Sequence, residues 1–249
     1  MSLAAGFLNH EIQIKPLNWK LTPFQITVNL LAALPLFLVL YDYSADLVNW
    51  LGGGAAWAQV ILPYLPLKFN INPIQDLTLR TGEAALILLV ASLACSPIAN
   101  LLRFKQAIRV RKDLGLWSFY YALLHFLIYT VLDYGLNLNL IWLELSQKLY
   151  VIVGFVAFLI LMPLAITSTK GMQKRLGRTW KRLHYFVYLA ALLAVAHFIW
   201  VVKSDIREPA IYGLIVAVLL ALRLPTVKGW INALRIRFSG KKPTQQQTA

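Results

Sequence analysis

The chain has 249 residues, 59% of them hydrophobic by a broad count and only 14% charged, with a mean hydropathy of +0.64. A soluble domain carries about a quarter charged residues, so the composition excludes an ordinary soluble enzyme and points to an all-α integral membrane protein. The formal charge of +14 suggests nucleic acid or membrane lipid as a partner. With no soluble basic domain to hold nucleic acid, topology and anionic headgroups account for it.

Residues 1–23 form an N-terminal segment without a secretory signature. The apolar run that follows lacks a small-residue cleavage site and is expected to remain as the first span. Crossing ~30 Å of hydrocarbon takes about 20 apolar residues, and runs of roughly this length fall at 24–41, 82–102, 114–134, 149–168, 183–202 and, somewhat shorter, 209–222. The sequence therefore predicts a six-helix transmembrane domain over 24–225. Its outer loop, 42–81, contains Gly52, Gly53 and Gly54, and Ala55 to Leu67 reads as a loop or interfacial piece too short to cross. The glycine triplet has neither the spacing nor the lysine of a phosphate loop. Residues 226–249 read as a basic, disordered tail.

Charge sets the orientation. Nineteen of the 24 lysines and arginines lie on one side of this six-span arrangement, in the segments around Lys15, Arg103 to Lys112, Lys170 to Arg182 and Arg223 to Lys242. The positive-inside rule places that side, and both termini, in the cytoplasm.

Span two carries the only cysteine, Cys95, beside Pro97. One thiol makes no internal disulfide, and there is no haem-attachment motif, so a small packing residue in a bent helix is the expected role. Span four ends at Thr167, Ser168 and Thr169, whose hydroxyls suit backbone groups near the membrane face. No long internal repeat stands out. Leu114, Gly115 and Trp117 before His125 faintly echo Leu176, Gly177 and Trp180 before His184, at unequal spacings that suggest chance or shared interfacial anchoring by tryptophan.

The three membrane histidines carry the chemistry. Spans three and five both leave the basic side and so run parallel. At 1.5 Å per residue, His125 lies ~20 Å beyond Lys112 and His197 ~22 Å beyond Arg182, while His184 is only ~3 Å past Arg182. Two imidazoles level on two helices are what bis-histidine ligation of a b-type haem requires. The competing readings are an interhelical hydrogen-bonding role for each buried histidine and, for His184, a snorkelling contact with headgroups. On an ideal helix the thirteen residues from His184 to His197 leave the rings about 140° apart, which argues against their sharing a face. A haem-free transporter or structural subunit using the histidines for hydrogen bonds or proton transfer is the alternative function. No paired intramembrane acids or matching broken helices support it.

Several stretches together resemble the MsrQ (YedZ) family, within the ferric-reductase-like transmembrane group. They are Ser96 to Ile98, Arg111 to Trp117 ahead of Leu124 to Phe126, Leu164 to Thr169, Met172 to Gly177 with Trp180, Leu183 with His184, and Tyr188 with Leu189 leading to His197. The likeness runs over about residues 70–225. It implies a haem-binding subunit in the bacterial inner membrane, with one or two b-type haems and associated FMN, that takes electrons from the quinone pool. It further implies delivery to MsrP, a periplasmic molybdenum enzyme that reduces methionine sulfoxide in proteins. By motif position, the family's haem ligands fall on His125, His184 and His197. Only about 25 residues follow the last span, too few for a flavin or nicotinamide domain. Electrons are therefore expected from quinol or from a separate reductase, and the chain itself is expected to hold no catalytic domain.

Overall fold

The computed structural model describes residues 21–50, 72–202, 205–227 and 229, with the side chains of 42–50 excluded. Its principal elements are α1 (Pro23–Trp50), α2 (Pro73–Leu101), α3 (Gln106–Leu127) continued by a π-helical turn (Ile128–Asp133), α4 (Leu138–Gln147), α5 (Leu149–Ile166), α6 (Lys170–Leu176), α7 (Arg178–His184), α8 (Phe186–Val201) and α9 (Arg207–Ala221). Among the described residues there is no strand, and the protein is an all-α membrane protein.

Five helical segments are long and apolar enough to cross a membrane: Pro23–Tyr41, Pro73–Leu101, Gln106–Asp133, Leu149–Ile166 and Arg178–Val201. They coincide with the first five expected spans. The sixth corresponds to α9, whose 15 residues reach only about 22 Å at 1.5 Å each, short of a full crossing on their own. Large apolar side chains such as Leu30, Phe37 and Leu214 are more than half exposed, as lipid-facing positions are. The 42–81 segment is helical at both described ends, since α1 runs on to Trp50 and α2 starts at Pro73. The glycine triplet, the stretch Ala55 to Leu67, His10 and the C-terminal tail lie outside the described residues.

Local chemistry explains the boundaries. Asn72 caps α2 by accepting the Gln75 N–H, with Pro73 at the first turn and Asp76 complementing the helix dipole. Asn137 caps α4 in the same way, a short amphipathic helix with none of its residues buried that lies between the third and fourth expected spans. Thr167 and Ser168 hydroxyls donate back to the Pro163 and Leu164 carbonyls at the end of α5.

Two helix pairs dominate the packing, α2 with α3 and α5 with α8. Where α2, α5, α8 and α9 meet, Leu89, Leu93, Leu161, Ala190, Ala191 and Val216 form one buried cluster. The alanines at 190 and 191, fully buried, let backbones approach closely. A second cluster joins α1 to α2 and α3 and contains Cys95, a packing residue as expected, its thiol donating to the Ala91 carbonyl.

The α1 junction rests on one hydroxyl. Pro35 lies inside α1, and Tyr121 Oη donates to the Ala32 carbonyl and accepts from the Leu36 N–H, at 2.9 Å each. These two groups would otherwise bond each other across one helical turn, so a side chain of α3 is spliced into the ladder of α1. Trp117 Nε1 adds a bond to Asn29 Oδ1 at 2.8 Å. Tyr121→Phe is expected to destabilise the protein by about 1–2 kcal/mol, read as a fall of a few degrees in the melting temperature of detergent-solubilised protein. An unchanged melting curve would show that α1 closes its own bond without help.

Candidate functional site

His125 of α3 and His197 of α8 face each other across the bundle, ring centroids 6.2 Å apart and planes nearly perpendicular at 85°. Each ring is held the same way. His125 Nδ1 lies 2.8 Å from the Thr78 carbonyl on α2, and His197 Nδ1 lies 2.7 Å from the Tyr150 carbonyl on α5. A carbonyl only accepts, so each Nδ1 carries the proton and each Nε2 keeps its lone pair. This is the second-nitrogen arrangement that fixes the tautomer and orientation of a metal-ligating imidazole.

Room for the rings comes from glycine. A Cβ at Gly82 would lie 3.0 Å from His125 Nδ1, and one at Gly154 would lie 2.7 Å from His197 Nδ1. In both cases the glycine sits one turn beyond the accepting carbonyl, Thr78 before Gly82 and Tyr150 before Gly154. Each ring therefore sets its Nδ1–Cε1 edge against a glycine and reaches the carbonyl behind it.

The two histidines line one cavity of about 500 Å³, within the usual range for a ligand site. Its apolar wall includes Phe126, Phe155 and Phe158, with Phe126 stacked on Phe158 at 5.0 Å. Asn72, Gln75 and Lys148 make part of its rim polar, and Lys148 is ion-paired with Glu144. Two imidazoles bound through Nε2 at about 2 Å to opposite sides of one metal hold their ring centres about 6 Å apart. The observed separation and free Nε2 lone pairs therefore fit an iron held between them.

His184 lies elsewhere. It ends α7, and Tyr185, which joins that helix to α8, keeps helical backbone angles; as the helical angle implies, His184 does not line the cavity that holds His197. It lines a second cavity of about 410 Å³ together with Arg111, Lys112 and Lys181. Its ring stacks on Trp180 with centroids 4.0 Å apart, its Nδ1 lies 3.0 Å from the Trp180 carbonyl, and its Nε2 is buried without a partner. The three expected ligands thus divide into a facing pair and a single residue in a separate cavity. Among the described residues no cluster of three or more histidine, cysteine or acidic side chains is placed to hold an ion directly.

Sequence reasoning missed the supporting groups. Gly82, Gly154 and the carbonyls of Thr78 and Tyr150 carry no motif of their own, yet a signal existed. Each histidine stands 43 residues after its glycine and 47 after its carbonyl partner.

Residues 81–195 match the family described as the ferric reductase like transmembrane component. A protein-methionine-sulfoxide reductase heme-binding subunit MsrQ from Xanthomonas axonopodis pv. citri is 48% identical over 153 residues, covering 61% of this chain and 70% of the relative. One of the same description from Klebsiella pneumoniae subsp. pneumoniae is 42% identical over 193 residues, covering 72% of this chain and 96% of the relative. A further one from Klebsiella pneumoniae is 40% identical over 189 residues, covering 70% and 95%. No solved structure matches the chain. Similarity of this strength, along nearly the whole length of the Klebsiella relatives, means that the chain belongs to the MsrQ family of ferric-reductase-like transmembrane proteins.

Proposed function

We propose that the chain is a b-type haem electron-transfer subunit of the bacterial inner membrane, carrying electrons from the quinone pool, or from a separate reductase, to a periplasmic molybdenum methionine sulfoxide reductase of the MsrP kind. The observation that supports this best is the His125–His197 pair, 6.2 Å apart with both Nδ1 atoms bonded to carbonyls. Haem supplies reversible one-electron change at iron. The protein would supply the rest: His125 and His197 would hold the iron, the Thr78 and Tyr150 carbonyls fix the tautomer, and an apolar wall keeps the local dielectric low.

In this reading six spans place both termini in the cytoplasm, with α9 as a short sixth crossing. The His125–His197 site then lies toward the periplasmic side, where electrons leave, and the His184 cavity toward the cytoplasm, where they arrive. FMN association is carried by family likeness, and the basic groups around the inner cavity, Arg111, Lys112 and Lys181, suit a flavin phosphate.

Membrane-purified protein is expected to be red, with a Soret band that sharpens and shifts on dithionite reduction and a low-spin signal in the oxidised state. Protein that stays colourless after haem is supplied during expression would overturn the reading in favour of a haem-free membrane subunit.

A further inference from the structure

The short helix α4 is fixed at both ends to membrane spans. The third span closes with the π-helical turn at Asp133, and Lys148 is at once the C-cap of α4 and the N-cap of α5. Between Asp133 and α4 the chain reverses at Gly135 and Leu136, both at positive φ (55° and 59°), and the Leu136 N–H donates to the Thr130 carbonyl at 2.9 Å. Left-handed backbone at two successive residues makes this a tight corner rather than a loose loop. One span ends and the next begins on the same side of the bilayer, so a helix tied this closely to both lies across their ends, along the membrane surface. Its ten residues reach ~15 Å, enough to bridge two packed helices whose axes are about 8–10 Å apart.

The side chains of α4 sort by direction. A helix turns about 100° per residue, so Leu138, Ile141, Trp142 and Leu145 share an arc of about 100°. Ile141 and Leu145 line the outer cavity. Leu138 and Trp142, on the same stripe, overhang the protein and are 76% and 74% exposed. Leu143 and Gln147 each stand about 200° from Leu145, on the side away from the cavity. The overhanging pair continues the lipid-facing surface of the two spans, since Leu132 before α4 and Leu149 after it are both more than half exposed. At the depth where spans meet the surface, the bilayer itself offers an apolar partner, and tryptophan is enriched at that boundary.

We propose that α4 is a membrane-surface roof. Leu138 and Trp142 seat it in the headgroup and upper acyl region of the lipid beside the outer cavity, while Ile141 and Leu145 cover the cavity. The occupant of the exposed stripe is lipid rather than a second protein. This placement does not depend on what fills the outer cavity.

The test uses the full chain in phosphatidylglycerol nanodiscs, with Cys95→Ala removing the native thiol. One nitroxide-labelled cysteine at a time is introduced by Leu138→Cys, Trp142→Cys, Leu143→Cys or Gln147→Cys. Power-saturation electron paramagnetic resonance compares collisions with oxygen, which concentrates in lipid, against those with a nickel chelate, which stays in water. Labels at 138 and 142 are expected to give an oxygen-to-nickel ratio severalfold above those at 143 and 147. Leu143 makes the comparison strict, because it is as apolar as Leu138 and 48% exposed yet belongs in water. Should Trp142→Cys fail to fold, Leu138→Cys carries the same readout. Adding Trp142→Asp to the chain labelled at 138 is expected to lower its ratio toward that at 147. Equal ratios at 138, 142 and 147, or a ratio at 143 above that at 138 and 142, would show the stripe facing water, open to a protein partner, and overturn the proposal.

Discussion

Replacing either His125 or His197 with alanine is expected to strip the outer haem, lowering its retention by roughly tenfold to a hundredfold or more. Losing even an outer-shell partner of a metal ligand costs that much, and here the ligand itself goes. The physical reason lies in the geometry. In the proposed haem site each ring would supply one of the two bonds the protein makes to iron, and much of the surrounding wall is phenylalanine, which offers iron nothing. His184→Ala should leave the low-spin spectrum of this site in place, since His184 lines the other cavity. The measurement is haem per purified chain together with the oxidised spin state. Equal losses of the low-spin signal in all three variants would mean that the pairing of 125 with 197 is wrong, whatever the family likeness.

The second large effect is expected from a single methyl group. Gly154→Ala places a Cβ 2.7 Å from His197 Nδ1 and 2.8 Å from its Cε1, inside van der Waals contact. The ring cannot simply swing aside, because its Nδ1 is tied to the Tyr150 carbonyl on the same helix as the intruding methyl. Overpacking of this kind costs about 1–3 kcal/mol, and the displaced ring no longer aims Nε2 at its partner. Gly154→Ala protein is expected to assemble with substantially less haem than wild type and to melt at a lower temperature. Gly82→Ala, where the contact is 3.0 Å to His125 Nδ1, should show the same defects in milder form. Full haem content in Gly154→Ala would show that the ring has room to shift and that the glycine is not needed to seat it.

Much of this arrangement was legible in the residues. Apolar run length yielded the first five spans, because hydrocarbon thickness acts on composition alone. The depth of His125 and His197 followed from helical rise, because both helices leave the same face. What stayed hidden has a common cause. A carbonyl such as Tyr150 is present at every residue and leaves no mark, and Gly154 looks like any small residue in a membrane helix until the ring above it is placed. The matching surroundings of His125 and His197 were missed because they share spacing and contacts more than letters: Thr78 serves one ring and Tyr150 the other. The helical angle between His184 and His197 argued against a shared face, and the two residues line separate cavities.

The Tyr121 hydroxyl within α1 bears on how the chain is assembled. The rung between Ala32 and Leu36 is completed by a residue 85 positions after Leu36, so before α3 packs against it α1 must bond differently at that step. Its mature shape is acquired only when α3 arrives beside it. Ala32 of α1 also packs in one cluster with Ala84 and Ala85 of α2, so the docking of α3 marks the closing of that side of the bundle rather than the beginning.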